Sequence, residues 1–224
     1  MKNKNTSLSE PVYNYLLHLI LTLQIKQGEK IPEAQIAKDL GVSRTPLREA
    51  IRQLANDGLV TILPNRHVEV STYSVDYIRN IGEIRLFFEL MSMFFSLYYG
   101  SKADFERLNK IAVECRTAAE EGDEEKRLTK DAEFHLELAR CSNNPILLKF
   151  QNQLSLQVQL IQANKTITTE KIREFCNYQE NIVKHLFNMD EAELYKTIVN
   201  HYTRYYNLDK YYPDGFFDGL HFKK

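Results

Sequence analysis

Glycine and proline are scarce in this chain, eight and six residues among 224. With Leu, Ile, Glu, Lys and Gln abundant around them, that scarcity excludes collagen-like and disordered classes and predicts a mostly helical protein. Cysteine is scarcer still. Cys115, Cys141 and Cys176 form no CxxC pair, and so thin and odd a set excludes a disulfide-stapled fold, implies a reducing compartment, and leaves the thiols as small buried apolar groups. Long apolar runs are also missing: the strongest, residues 86–99, is 14 residues long and already holds Glu89, Ser92 and Ser96, too short and too polar to span a bilayer. The opening MKNKNTSLSE has no apolar core of a secretory signal. The expected location is therefore the cytoplasm, with no membrane partner.

No charge of one sign dominates, since 29 Lys and Arg face 30 Asp and Glu. Up to residue 72 there are nine basic and seven acidic residues, and beyond it 20 and 23, an asymmetry too slight to reveal a nucleic-acid partner by itself. What does change near residue 72 is the grammar, from short turn-rich elements to long helical periods, and this implies two domains. In the first, residues 10–24 read as an amphipathic helix, Gly28 suits a tight turn in the connector up to Pro32, and residues 33–40 make a short second helix. Gly41 stands where a helix end needs positive φ, Val42 can plug a core, and Ser43 is placed to cap the next helix.

That third helix puts Leu47, Ala50, Ile51 and Leu54 on one stripe, with Thr45, Arg48 and Arg52 roughly opposite and Arg44 at the N-terminal end. After Gly58, Leu59-Val-Thr-Ile-Leu63 and Val68-Glu-Val70 read as two strands flanking Pro64-Asn65-Arg66-His67, a hairpin with a basic tip. Together these elements make a winged helix-turn-helix. A helix that enters the major groove must carry donors near its N-terminus, where arginine can bond guanine O6 and N7 or clamp phosphate. Arg44 and Arg48 meet that need. The other reading, a merely solvated charged face, loses to the concurrence of turn, periodicity, preceding helix and following hairpin.

Gly41-Val-Ser-Arg-Thr-Pro-Leu-Arg-Glu-Ala-Ile51, with Leu54 and Asp57-Gly-Leu-Val60, closely resembles the DNA-binding signature of the GntR family of bacterial transcription regulators. The resemblance implies operator contacts from Ser43, Arg44, Thr45, Arg48 and Arg52, and from Arg66 and His67 on the wing, where Arg-Gly is usual.

In the second domain six helical segments are expected, near 75–99, 102–121, 124–141, 144–163, 169–188 and 191–208. Gly100-Ser101, Gly122-Asp123, Asn143-Asn144-Pro145, Thr168-Thr169 and Asp190 mark the breaks. Short connections predict a six-helix antiparallel bundle, and the whole chain is thus mainly α. Asp131 and His135, four residues apart, share a helical face, as two ligands of one cation would and as a surface hydrogen bond also would. His201 on the last helix could join them.

Asp131-Ala-Glu-Phe-His135, Asn144-Pro145, Asp190 and His201 resemble the FCD branch of the same family, over residues 77 to about 208. That resemblance implies a divalent metal of the Zn or Ni class held by Asp131, His135 and His201, and a small organic acid bound by metal and arginine. Where the family usually carries a fourth ligand histidine this chain has Gln179, a neutral and weaker donor, which is expected to line the wall of a polar effector cavity beside Arg85. His185, six residues on, lies about 240° round the helix and points elsewhere. Arg85 resembles the arginine of the family's first sensing helix and suits a carboxylate; an intrahelical pair with Glu89 is its other reading.

The domains read as 1–72 winged helix-turn-helix, 73–76 linker, 77–210 sensor and 211–224 aromatic tail. The run 86–95 is apolar nearly all round, and with the tail, from Tyr202 through Phe217, it predicts a covered bundle or a homodimer seam. The functional reading is a ligand-responsive regulator, dimeric on an inverted-repeat operator in double-stranded DNA. A metal-dependent helical enzyme with a DNA-tethering domain is the alternative, disfavoured because HExxH, GxSxG, Walker and Rossmann motifs are all lacking; a structural DNA-binding protein without effector is a third.

Overall fold

The computed structural model describes residues 8–64, 67–165, 168–213 and 215–217. They form two compact units, 8–73 with 156–165 and 74–155 with 168–217.

The first unit contains α1 (Ser9–Leu21), α2 (Glu33–Asp39), α3 (Arg44–Asn56) and the antiparallel pair β1 (Val60–Ile62) and β2 (Val68–Val70), in register Val60 with Val70 and Ile62 with Val68. Its core joins Leu16 and Ile20 of α1, Ile36 of α2, Leu47, Ile51 and Leu54 of α3, and Val68 and Val70 of β2. Gly41 has the expected positive φ, +63°, and Val42 packs half-buried against the core. Ser43 holds the extended backbone of a cap, yet its side chain accepts no bond from α3. The reason lies in the sequence: the third helical residue, whose N–H a capping serine commonly binds, is Pro46, which has none. The connector before α2 does more than turn. With Gly28 at φ +78°, its N–H donates to Val70 O at 2.9 Å and Ile31 N–H to Val68 O at 2.8 Å, so the segment borders the outer edge of β2.

The second unit is helical: α4 (Val75–Tyr99), α5 (Lys102–Glu121), α6 (Glu124–Cys141), α8 (Thr169–Phe187), α9 (Glu191–Tyr206), and the first part of α7 (Pro145–Ala163), whose last turns belong to the first unit. There Leu160 is fully buried and Gln157 donates to the Asp57 carbonyl at 3.0 Å. The helices stop where the breaks predicted. Ser101 and Asp104 form a reciprocal capping box, Gly122 closes α5 at φ +74°, and Asp123, Thr168 and Asp190 each accept an orphan N–H of the helix that follows. Helix α4 packs on α6 and α9, α5 on α6 and α8, and α8 on α9, which is the expected antiparallel bundle. All three cysteines are free and buried. No helix of the described residues is long and apolar enough to cross a membrane.

Beyond Asn207, left-handed at φ +53°, a single 3-10 turn (Leu208–Lys210) leads into the aromatic tail. Tyr212 donates to Glu83 at 2.8 Å, Arg79 lies 4.6 Å from the Tyr211 ring, and the Phe217 carbonyl accepts from Tyr195. The described part of the tail thus covers α4 and α9 of its own unit.

Candidate DNA-reading face and sensor site

Helix α3 is amphipathic with a sharp division. Pro46, Leu47, Ala50, Ile51 and Leu54 are buried, while Ser43, Arg44, Thr45, Arg48 and Arg52 are exposed. Among the described residues none of the three arginines makes an ion pair. Their donors are free for an external acceptor, and their long stems carry charge at little cost to the fold. On the wing, His67 Nε2 lies 2.9 Å from Glu69 Oε1, so a carboxylate already engages it. Arg66 lies outside the described residues.

The second region lies inside the helical unit, where α4, α6, α8 and α9 bring Arg85, Glu89, Asp131, His135, Gln179 and His201 together. Glu89, the one charge in the most apolar stretch of α4, is 1% exposed. A carboxylate so placed requires partners, and it has two: His135 Nδ1 donates at 2.7 Å and the Tyr178 hydroxyl at 3.2 Å. Because a carboxylate only accepts, the proton sits on Nδ1 and the other ring nitrogen faces Asp131, 3.8 Å from Oδ1. That same Oδ1 accepts from Gln179 Nε2 at 2.8 Å.

His201 stacks flat on Tyr178, centroids 3.7 Å apart and planes at 13°, with Tyr205 at 6.0 Å on a near-parallel plane. Desolvation, then the neighbouring His135, pushes its pKa down to about 3 against the opposing pull of Asp131. His201 is therefore neutral at physiological pH. Burial likewise pushes the Tyr178, Tyr202 and Tyr206 hydroxyls above their ordinary range, so all three are protonated donors.

Arg85 does not pair with Glu89, which turns across the bundle instead. Arg85 Nη1 donates to the Tyr206 hydroxyl at 2.9 Å and its guanidinium lies 5.3 Å from the Tyr202 ring centroid. No carboxylate of the described residues makes an ion pair with it. Gly82, one turn before Arg85, makes this arrangement fit, because a Cβ there would lie 2.3 Å from the Tyr206 ring.

The expected metal ligands Asp131, His135 and His201 thus share a neighbourhood without forming a coordination set. Among the described residues no group of three or more His, Cys, Asp or Glu side chains is placed to hold a metal ion. The donor chemistry explains why. A carboxylate-backed histidine beside an aspartate is a good start for a divalent ion, but Asp131 Oδ1 is held by the Gln179 amide, His201 is committed to an aromatic stack, and structural or catalytic zinc requires three or four protein ligands. The residues present do not fit the ion.

Sequence reasoning missed Glu89, Tyr178, Tyr202 and Tyr206 as members of this cluster. Only Glu89 carried a signal: a lone carboxylate in a helix apolar all round has to be buried, and hence paired.

Comparison with known proteins places both regions. The family model for bacterial regulatory proteins of the gntR family matches residues 8–70, and that for the FCD domain matches residues 80–204. The chain is 29% identical over 153 residues to the HTH-type transcriptional regulator McbR of Escherichia coli (strain K12), a match covering 68% of this chain and 69% of that protein. It is 29% identical over 196 residues to the HTH-type transcriptional repressor NanR of Escherichia coli (strain K12 / DH10B), covering 78% and 73%. Two solved structures share the fold: E. coli McbR/YncC, with TM-score 0.76 and 23% identity over 92% of this chain and 100% of that one, and a putative transcriptional regulator GntR from Rhodococcus sp. RHA1, with TM-score 0.80 and 20% identity over 90% and 97%. These relatives are regulators, not enzymes, which removes the metal-dependent enzyme reading. With a GntR domain followed by an FCD domain over more than half its length, the chain belongs to the GntR family of bacterial transcription regulators, in its FCD branch.

Proposed function

We propose that this chain, a GntR regulator with an FCD domain, binds DNA through its first domain and a small-molecule effector through its second. For this chain we propose a homodimer that reads an inverted-repeat operator with Ser43, Arg44, Thr45, Arg48 and Arg52, supported on the wing by Arg66 and His67, and that senses a small organic acid whose carboxylate sits on Arg85 without a metal. The observation that carries the reading is the state of Arg85. In a cluster where Glu89 and Asp131 are both engaged, its guanidinium has a hydroxyl and an aromatic face for company and makes no ion pair with a carboxylate of the described residues. A forked cation left in that state is a ready donor to an external carboxylate. The arginines of α3 supply the same logic for DNA: exposed, unpaired, and opposite a buried stripe.

Dimerisation is supported by an apolar stripe on α4. Ile84, Phe87, Met91 and Tyr98 are exposed at helical spacing, and Ile146 and Phe150 of α7 are exposed as well, with Phe150 6.3 Å from the Phe88 ring. A surface of that kind marks an interface more often than a solvated face. Two-fold symmetry of the protein then mirrors two-fold symmetry of the site.

Selection of operator fragments from random DNA, followed by sedimentation of the protein alone, tests the reading. It expects an enriched inverted repeat and a dimer at micromolar concentration; enrichment of no sequence, or a monomer, overturns it. Elemental analysis tests the metal-free reading: purified wild type is expected to hold no stoichiometric divalent ion, and a tightly held ion in wild type would reverse it.

A further inference from the structure

Two polar atoms of the sensor cluster meet no partner among the described residues: the Tyr202 hydroxyl and Gln179 Oε1. Both belong to side chains at most 1% exposed. A buried polar atom left unpaired is costly, and a native structure keeps one only where something else completes it. The orientation of the Gln179 amide is fixed by chemistry, because Asp131 can only accept and therefore takes the NH2 end. What Gln179 offers to its surroundings is consequently an acceptor. Tyr202 offers a hydroxyl held in its protonated form, on the ring over which the Arg85 guanidinium sits.

Resting on the reading of Arg85 as the carboxylate anchor, we propose that Gln179 and Tyr202 are the specificity-determining residues of the sensor, and that the effector is a small carboxylate carrying an additional hydrogen-bond donor, a hydroxyl or an ammonium group. The carboxylate takes the Arg85 fork and the Tyr202 hydroxyl; the donor takes Gln179 Oε1. A simple alkanoate satisfies the first pair and leaves Gln179 Oε1 unpaired, and a site built to bond a substrate donor rejects the analogue without it strongly.

The test is calorimetric titration of the full-length protein with matched sets of acids from two to six carbons, each as the alkanoate, its 2-hydroxy form and its 2-amino form. At one chain length or more, wild type is expected to bind a hydroxy or amino form at least tenfold more tightly than the alkanoate, and the preferred form tells hydroxyl from ammonium. In Gln179→Met, of similar volume, that ratio is expected to fall towards one. Tyr202→Phe deletes only an unpaired hydroxyl, so its thermal midpoint should stay at or above that of wild type while affinity for the preferred acid drops at least tenfold. Equal binding of alkanoate and substituted forms, or a ratio unchanged in Gln179→Met together with full affinity in Tyr202→Phe, overturns this assignment and leaves the Arg85 reading standing. Binding of no acid in the series overturns both.

Discussion

Arg44, Arg48 and Arg52 stand in solvent on α3, whereas Arg127 lies 2% exposed on α6 with both forks of its guanidinium on Glu124, at 2.7 and 2.5 Å. The first set can remain unpaired because water solvates it; the second cannot, because desolvation of a charge is tolerable only with a partner. Arg85 belongs to neither kind. It lies inside the helical unit like Arg127, yet like the arginines of α3 it makes no ion pair among the described residues. The contrast shows how function can be read from electrostatics: a buried arginine is conspicuous when no described carboxylate makes an ion pair with it.

The comparison predicts that removing a buried partner costs stability, and removing an exposed arginine costs only binding. Glu89→Ala carries the largest effect. It strips His135 and Tyr178 of their shared acceptor, and the loss should be about 3 to 5 kcal/mol of unfolding free energy by denaturant titration. A loss below about 1 kcal/mol would mean that Glu89 is not the hub of the cluster. Gly82→Ala comes next, since its new methyl would lie 2.3 Å from the Tyr206 ring. Overpacking of that kind costs about 1 to 3 kcal/mol, and by shifting Tyr206 off Arg85 it should weaken acid binding too.

For the exposed set, Arg44→Ala and Arg48→Ala should each weaken operator binding by about 1 to 3 kcal/mol where a bidentate base contact is lost, or reduce the salt slope by about one unit where a phosphate contact is lost. Both should leave stability within about 0.5 kcal/mol of wild type. Unchanged titrations at several salt concentrations would remove these residues from the interface.

At neutral pH the smallest effect belongs to His201, whose folded pKa of about 3 lies below its ordinary 6.5. Between those values the unfolded chain binds a proton that the folded chain refuses, so stability present at neutral pH is lost as pH falls from about 6.5 towards 3. His201→Phe, keeping the stack on Tyr178, should lose stability less steeply over that window; identical slopes would show that His201 does not titrate on unfolding.

Much of this fold was legible because its punctuation is local. Ser101 with Asp104, Gly122 with Asp123, and Asp190 each announce a helix end within a few residues, and the observed ends agree with them. The amphipathic division of α3 was legible for the same reason. What could not be read depends on distance. Glu89 is 46 residues from His135, and Arg85 is 121 from Tyr206. The i+4 rule allowed Arg85 a pair with Glu89, and only packing across the bundle turned them apart. Nothing local to residues 156–163 marks the last turns of α7 as part of the first unit's core. The cap at Ser43 failed for a reason that was legible, the missing N–H of Pro46.

The central claim, that acid bound at Arg85 is felt at the operator, is tested most directly by operator titrations of wild type and Arg85→Gln with and without the tightest-binding acid. A two-site coupling of ordinary size, about 1 to 3 kcal/mol, corresponds to a shift of about 5- to 150-fold in operator affinity. Wild type should show such a shift and Arg85→Gln none, with equal operator affinity in the absence of acid. An acid that binds wild type and leaves its operator affinity unchanged would contradict it, and would make the helical unit a dimerisation device alone.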